Sequence, residues 1–215
     1  MKICHHPDDA SLMSCSAGSM PEALAAVMAA HASICPRCRE ELSLMENIGN
    51  QLFNELTAMP VERSAPIMAL RRFEADIEPA KTAPLYEGDV PSAIAGVVGP
   101  KLDDLSWKRL APGIWHIPLP LSKKAKGDLR LIKVAPGQAM PEHGHGGSEL
   151  TLVLRGCYRD KFGEFGRGDV ADLSDDVEHA PIADPHEGCI CLIGSVEKAR
   201  FKTLLARIVQ PLTGM

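Results

Sequence analysis

Residues 137–156 read GQAMPEHGHGGSELTLVLRG, and the placing of the histidines, glycines and glutamate in this stretch decides how the second half of the chain folds. In a strand, residues i and i+2 face the same side, so His143 and His145 can approach one ion together. Glu149 keeps that parity and leads directly into the β-prone run ELTLVL. Between them, Gly144, Gly146 and Gly147 let the backbone bend and bring Glu149 back toward the histidines. Imidazole plus carboxylate suits zinc, manganese, iron or nickel better than it suits a thiolate-loving ion. The competing reading is a Gly- and His-rich surface loop before a strand with a polar first residue.

Working outward, the chain after residue 100 keeps the texture of short strands. GIWHIPLP, DLRLIKVAPG, SELTLVLRGCYRD, DVADLS, GCICLIGS and ARFKTLLARIVQPL are β-prone runs separated by Gly, Pro and Asp turns, which predicts an antiparallel β-sandwich or barrel. Before residue 78 the composition shifts to Ala, Leu, Met and Glu, all good helix formers. PEALAAVMAAH, from Pro21, predicts a helix with Pro in its first turn. A further helix should run from Pro36 to about Leu56, with Leu42, Met45, Leu52 and Leu56 on one face, and a fourth over 64–77. EPAKTAPLYEGDVP has no apolar periodicity and suggests a linker. The division expected is therefore a helical domain over 1–78, a linker over 79–99 and a β domain over 100–215, a two-domain α plus β chain of 215 residues.

Charge separates the halves as well. The net charge is −5, and the whole excess falls in residues 1–80, with 6 Lys/Arg against 11 Asp/Glu. An acidic module repels phosphate backbones, so direct nucleic-acid binding is disfavoured and a basic protein partner is suited. No apolar run approaches the roughly 20 residues needed to span a bilayer. The opening MKICHHPDDA lacks a basic segment leading into an apolar core, so a cytoplasmic protein with no membrane partner is expected. Its seven Cys are then ligands, reactive thiols or core fillers rather than disulfides.

The strongest local signal in the first half is His31-x3-Cys35-x2-Cys38. A Cys-x2-Cys pair lets two thiolates reach one ion from a tight turn, and a His about one helical turn earlier supplies a third ligand. Pro36 makes Cys35 a helix N-cap and puts Cys38 in the first turn, where the dipole favours a thiolate. A structural zinc needs a fourth donor, and Cys4, His5 and His6 all stand before the first helix. Ordinary buried thiols, or a redox pair, are the competing readings; a redox CxxC belongs in a βαβ setting rather than between two helices.

These residues resemble the zinc-binding anti-sigma domain family, whose members wrap a helical bundle around a sigma factor of RNA polymerase. The resemblance, not the spacing, selects His6 over His5 beside His31, Cys35 and Cys38. The stretch from Gly137 to Gly156 resembles the first motif of the cupin superfamily, a jelly-roll barrel. The second cupin motif supplies a third His, here His179 after the turn Gly166-Arg167-Gly168-Asp169, which lacks the usual Pro; His186 is the competitor. Together the two halves resemble the ChrR-type anti-sigma factors. That resemblance implies a zinc at His6, His31, Cys35 and Cys38, and a second ion at His143, His145, Glu149 and His179, zinc first among manganese, iron and nickel. It also implies a group IV (extracytoplasmic-function) sigma factor as partner, released on a stress signal, oxidative in kind, that acts through the cupin domain.

Cys189 and Cys191 share one strand face, and Cys157 shares the parity of Glu149, so all three are candidates for lining the barrel; small core residues are the bland alternative. Met45, Leu52, Phe53 and Leu56 are divided between core and a partner groove. The chain is expected not to be an enzyme. The alternatives are a metal-dependent cupin enzyme of dioxygenase or isomerase type with an accessory zinc domain, and, last, a zinc-finger DNA binder, which the acidic N-terminal half argues against.

Overall fold

A computed structural model describes residues 2–59, 89–144, 147–173, 177–197 and 200–201. The chain opens with α1 (Asp9–Ser16), whose N-cap Asp8 accepts a hydrogen bond from the Ser11 amide at 2.7 Å. Next come α2 (Glu22–Ile34), capped by Pro21, and α3 (Pro36–Asn54), capped by Cys35 with Pro36 in its first turn. Proline suits such starts because it has no N–H to leave orphaned. The helix expected over 64–77 lies outside the described residues, as do residues 79–88 of the expected linker.

The rest of that linker is not unstructured. Ser92–Val98 forms a short helix, α4, with Val90 and Ile94 buried and its body packed on α2. Seven residues are too few to display a helical period, which is why SAIAGVV carried no readable signal. Asp89 fixes the entry to this helix by accepting the Leu102 amide at 3.0 Å, and Asp89 and Asp103 both pair with Arg155.

The strands are β1 (Lys108–Ala111), β2 (Ile114–Pro118), β3 (Asp128–Val134), β4 (His143–Gly144), β5 (Glu149–Asp160), β6 (Gly163–Gly166), β7 (Val170–Leu173), β8 (Glu178–His179), β9 (Ile182–Ala183), β10 (Cys189–Ser195) and β11 (Arg200–Phe201). One sheet runs β1-β2-β3-β10-β5-β6 with β7 and β9 also paired to β5; a second runs β11-β4-β8. Every strand pair among the described residues is antiparallel. This is the cupin-like barrel read from the sequence, preceded by a helical module.

Two apolar clusters result among the described residues. Ile114, Ile132, Val134, Val153, Tyr158, Phe165 and Cys191 fill one, the barrel interior. Leu150, Leu152, Leu154 and Leu192 turn the other way and join Leu24, Val27 and Met28 of α2 in the second. The helical module is thus seated on the outside of the barrel and shares a core with it. At this seam a Cβ on Gly194 would stand 2.4 Å from the Ala23 carbonyl oxygen, so the helix backbone lies almost against the strand. No helix among the described residues is long and apolar enough to cross a membrane.

Strand β5 does not keep one parity throughout. Its pairing with β10 shifts between Ile190↔Arg155 and Cys191↔Val153, a bulge that inverts which face later residues present. Tyr158 therefore joins the barrel interior beside Val153. Cys157, expected to share the face of Glu149, instead sits half-buried with its thiol 3.6 Å from Asp184.

Candidate metal centres

The α2–α3 junction gathers four donors. His31 ends the buried stripe of α2, Cys35 breaks the helix with an extended backbone, and Cys38 lies in the first turn of α3. The extended segment before α1 brings His6 onto them. The four ligand atoms all lie within 4.8 Å of one another. His31 Nε2 is 3.2 Å from Cys38 Sγ, and His6 Nδ1 is 3.3 Å from Cys38 Sγ and 3.5 Å from Cys35 Sγ. Bonds of about 2.0–2.3 Å to a tetrahedral ion imply donor–donor edges of about 3.3–3.8 Å, close to these separations. The donor set fits zinc: two imidazoles and two thiols, with His31, Cys35 and Cys38 buried.

Electrostatics agree with a cation's place there. Burial pushes the Cys38 thiol up to about 12, with Cys35 adding to the shift, and burial drives the His31 imidazole down to about 4. Without a positive ion the site favours a neutral Cys38 thiol and a neutral His31 imidazole; a bound dication favours thiolate ligands and the release of their protons.

His5 takes a different path from its neighbour. Its ring packs at a tilt against Phe165, 4.5 Å between centroids, and its Nδ1 lies 3.1 Å from the Asp169 carboxylate. Asp169 also accepts the amides of Cys4 at 2.7 Å, His5 at 3.1 Å and Gly166 at 3.0 Å. Burial alone would raise this carboxyl, but the Cys4 amide, the His5 side chain and the other amides outweigh it and hold it below its ordinary range. The carbonyl of the adjacent Gly168 accepts from His31 Nδ1 at 3.1 Å, which fixes the tautomer whose Nε2 lone pair points at the cluster. In the sequence Gly166–Asp169 reads only as a cupin turn. Its contact with the helical module spans more than 130 residues of chain, and no local pattern announces it.

In the barrel, His143 and His179 stand opposite each other in the β4–β8 ladder, and Glu149 begins β5, buried, accepting from the Thr151 hydroxyl at 3.1 Å. His145 lies outside the described residues, as does the His143 side chain. His179 Nδ1 meets the Asp160 carboxylate at 2.8 Å, both side chains being buried. A carboxylate on one ring nitrogen is the arrangement that orients a metal-binding imidazole. Asp160 went unnoticed in the sequence because the β5 bulge hides its parity. The Tyr158 hydroxyl is buried in the same interior with no hydrogen-bond partner among the described residues; burial first, then Cys191, Asp160 and Glu149, raise it well above its ordinary value. Such a hydroxyl, within reach of the Asp160 and Glu149 carboxylates, fits an interior that receives an ion or a small polar ligand.

The remaining candidates separate cleanly. His186 is exposed in the turn that Asp184 caps. Cys4 is exposed, and only its amide is engaged by Asp169. Cys189 and Cys191 are buried with sulfurs 3.3 Å apart, and the Cys191 thiol is held well above its ordinary value by Cys189, by burial and by Glu149. A buried neutral thiol behaves as a small apolar side chain.

Comparison with known proteins bears on the whole chain. A family model described as the ChrR cupin-like domain matches residues 97–199. The anti-sigma-E factor ChrR of Cereibacter sphaeroides is 37% identical over 213 residues, 98% of each chain. The crystal structure of Rhodobacter sphaeroides SigE in complex with the anti-sigma ChrR is similar with a TM-score of 0.77 and 33% identity, over 90% of this chain and 100% of that one.

Proposed function

The chain belongs to the ChrR family of anti-sigma factors, and from that premise we propose that it sequesters a group IV (extracytoplasmic-function) sigma factor in the cytoplasm through its helical module. The observation that carries the reading is the outer face of α3. Leu44, Ile48 and Leu52 recur every four residues, followed by Phe53, Leu56 and Met59, and all six are exposed, Phe53 at 72% and Met59 at 85%. Meanwhile Leu42 and Met45 are partly buried against the shared core. An apolar stripe of this length on an acidic module is unfavourable in water unless a partner covers it. The sigma factor held by the Rhodobacter sphaeroides relative is the partner it suits.

In this reading a zinc ion is held by His6, His31, Cys35 and Cys38. Four protein donors leave no open position, so its work is to fold the module and fix the angle between α2 and α3, not to catalyse. His143, His145, Glu149 and His179 hold a second ion, zinc first among manganese, iron and nickel, and the barrel receives the stress signal, oxidative in kind. The test is co-purification of the full chain with its sigma factor. A stoichiometric complex that Cys35→Ser/Cys38→Ser abolishes supports the reading; tight binding by that double variant sinks it.

A second reading, a metal-dependent cupin enzyme, draws support from the orphaned Tyr158 hydroxyl in the barrel. Turnover of a small substrate that Tyr158→Phe impairs, without loss of the bound ion, would favour it.

A further inference from the structure

Strand β7 lies between the strand that opens with Glu149 and the segment that carries His6, and bonds to both. Along one edge it pairs with β5, Leu173 opposite Glu149 and Val170 opposite Leu152. Along the other edge runs the segment that carries His6: the Val170 amide donates to the His5 carbonyl at 3.1 Å, and the Asp172 carboxylate accepts the Asp8 amide at 3.1 Å. Immediately before the strand, Asp169 clamps Cys4 and His5 while the Gly168 carbonyl holds His31. Two of the four N-terminal donors are thus positioned by the barrel, one through its backbone neighbours and one through its ring.

We propose that β7 and the turn before it link the two centres, with Asp169 as a positioning residue for His6 and His31, so that the state of the barrel site at Glu149 sets how tightly the N-terminal ion is held. The inference rests on the reading of both clusters as metal centres. Outer-shell partners of metal ligands matter because they fix ring orientation and tautomer, and losing one commonly costs about 10–100-fold in affinity. Strand β7 is only four residues long, about 13 Å at roughly 3.3 Å per residue, and a ladder this short passes a displacement from one end to the other with little slack. The seam also has room to move: a cavity of about 790 Å3 opens beside it, lined among others by His5, His6, Asp8, Leu173 and Val177. Coupling of this kind is reciprocal, so an ion that tightens one centre is itself tightened by the other.

The experiment uses the full chain with cobalt(II) as probe. The thiolate-to-cobalt charge-transfer band reports on the Cys35/Cys38 centre and is silent for ligation by His and Glu. Asp169→Ala is expected to weaken cobalt binding at this band by about 10–100-fold and to alter the ligand-field spectrum. Asp169→Asn, which keeps one oxygen for the Cys4 and His5 amides, should lose less and carries the test if the Ala variant does not fold. Glu149→Gln should shift the affinity of the N-terminal centre severalfold in the wild-type background and not on top of the Asp169 variant. Wild-type affinity in folded Asp169 variants overturns the proposal, as does a Glu149→Gln effect that is absent or equal in both backgrounds. A wild-type chain with no thiolate–cobalt band overturns the zinc reading itself and the link with it, which keeps the two failures apart.

Discussion

His31 Nδ1 and the carbonyl oxygen of Gly168 lie 3.1 Å apart although 137 residues separate them. Through this bond a candidate zinc donor in the helical module takes its orientation from a turn of the barrel. The helices and the β domain are therefore joined by hydrogen bonds at this seam.

Stripping metal from the full chain should melt the α2–α3 junction, because Cys35 and Cys38 have no other use for a shared buried position. Loss of helical ellipticity on adding a strong chelator, with its return on adding zinc and a measurable release of protons, is the expected result. Unchanged ellipticity would show that the junction is held by packing alone.

Charge placed on the outer face of α3 should break sigma binding without unfolding the protein. Ile48→Asp or Leu52→Asp is expected to weaken the complex by about 2–4 kcal/mol if either is a central anchor, while melting moves by only about 0.5 kcal/mol because both side chains are exposed. Met45→Ala should do the reverse, since Met45 packs against the core. Titration calorimetry beside thermal melts distinguishes the two patterns.

Where the metal-free chain keeps the α2–α3 junction packed, acid should destabilise it through His31. Burial lowers its pKa from 6.5 to about 4, so the unfolded chain takes up this proton first. The stability concerned is fully present above pH 6.5 and is lost as pH falls toward 4, amounting to about 3 kcal/mol for one such proton. Urea unfolding across that window reads the slope, and His31→Gln should flatten it.

Asp160→Asn should weaken the barrel ion by about 10–100-fold by releasing His179 from its fixed tautomer. Metal content after dialysis against a weak chelator measures this. Retention equal to wild type would mean that Asp160 serves only to pair the buried His179 ring.

Gly194→Ala should unseat α2 from the barrel, since the new methyl would meet the Ala23 carbonyl at 2.4 Å. A loss of about 1–3 kcal/mol is expected, the usual cost of overpacking, and a denaturant midpoint reads it. A shift near zero would show that the helix glides outward at no cost.

Much of this protein was legible in the chain itself, because its signals are local. Pro36 after Cys35 marks a helix start from sequence alone, since proline fixes its own φ and has no N–H to lose. The alternation through Leu150, Leu152 and Leu154 marks a strand for an equally local reason, the two-residue period of the pleat. What tertiary structure decided was whatever depends on distant backbone meeting. The choice between His5 and His6 turned on Asp169, a residue on the far side of the sequence that takes the first ring and leaves the second facing the cysteines. The use of Asp160 turned on one bulge in β5, which inverts parity without any residue that announces it. The 92–98 segment became a helix because α2 offered it a surface to bury Ile94, and no seven-residue run carries that surface within itself. Periodicity and capping are written in neighbouring residues; hydrogen bonds across 137 residues exist only once the chain has folded.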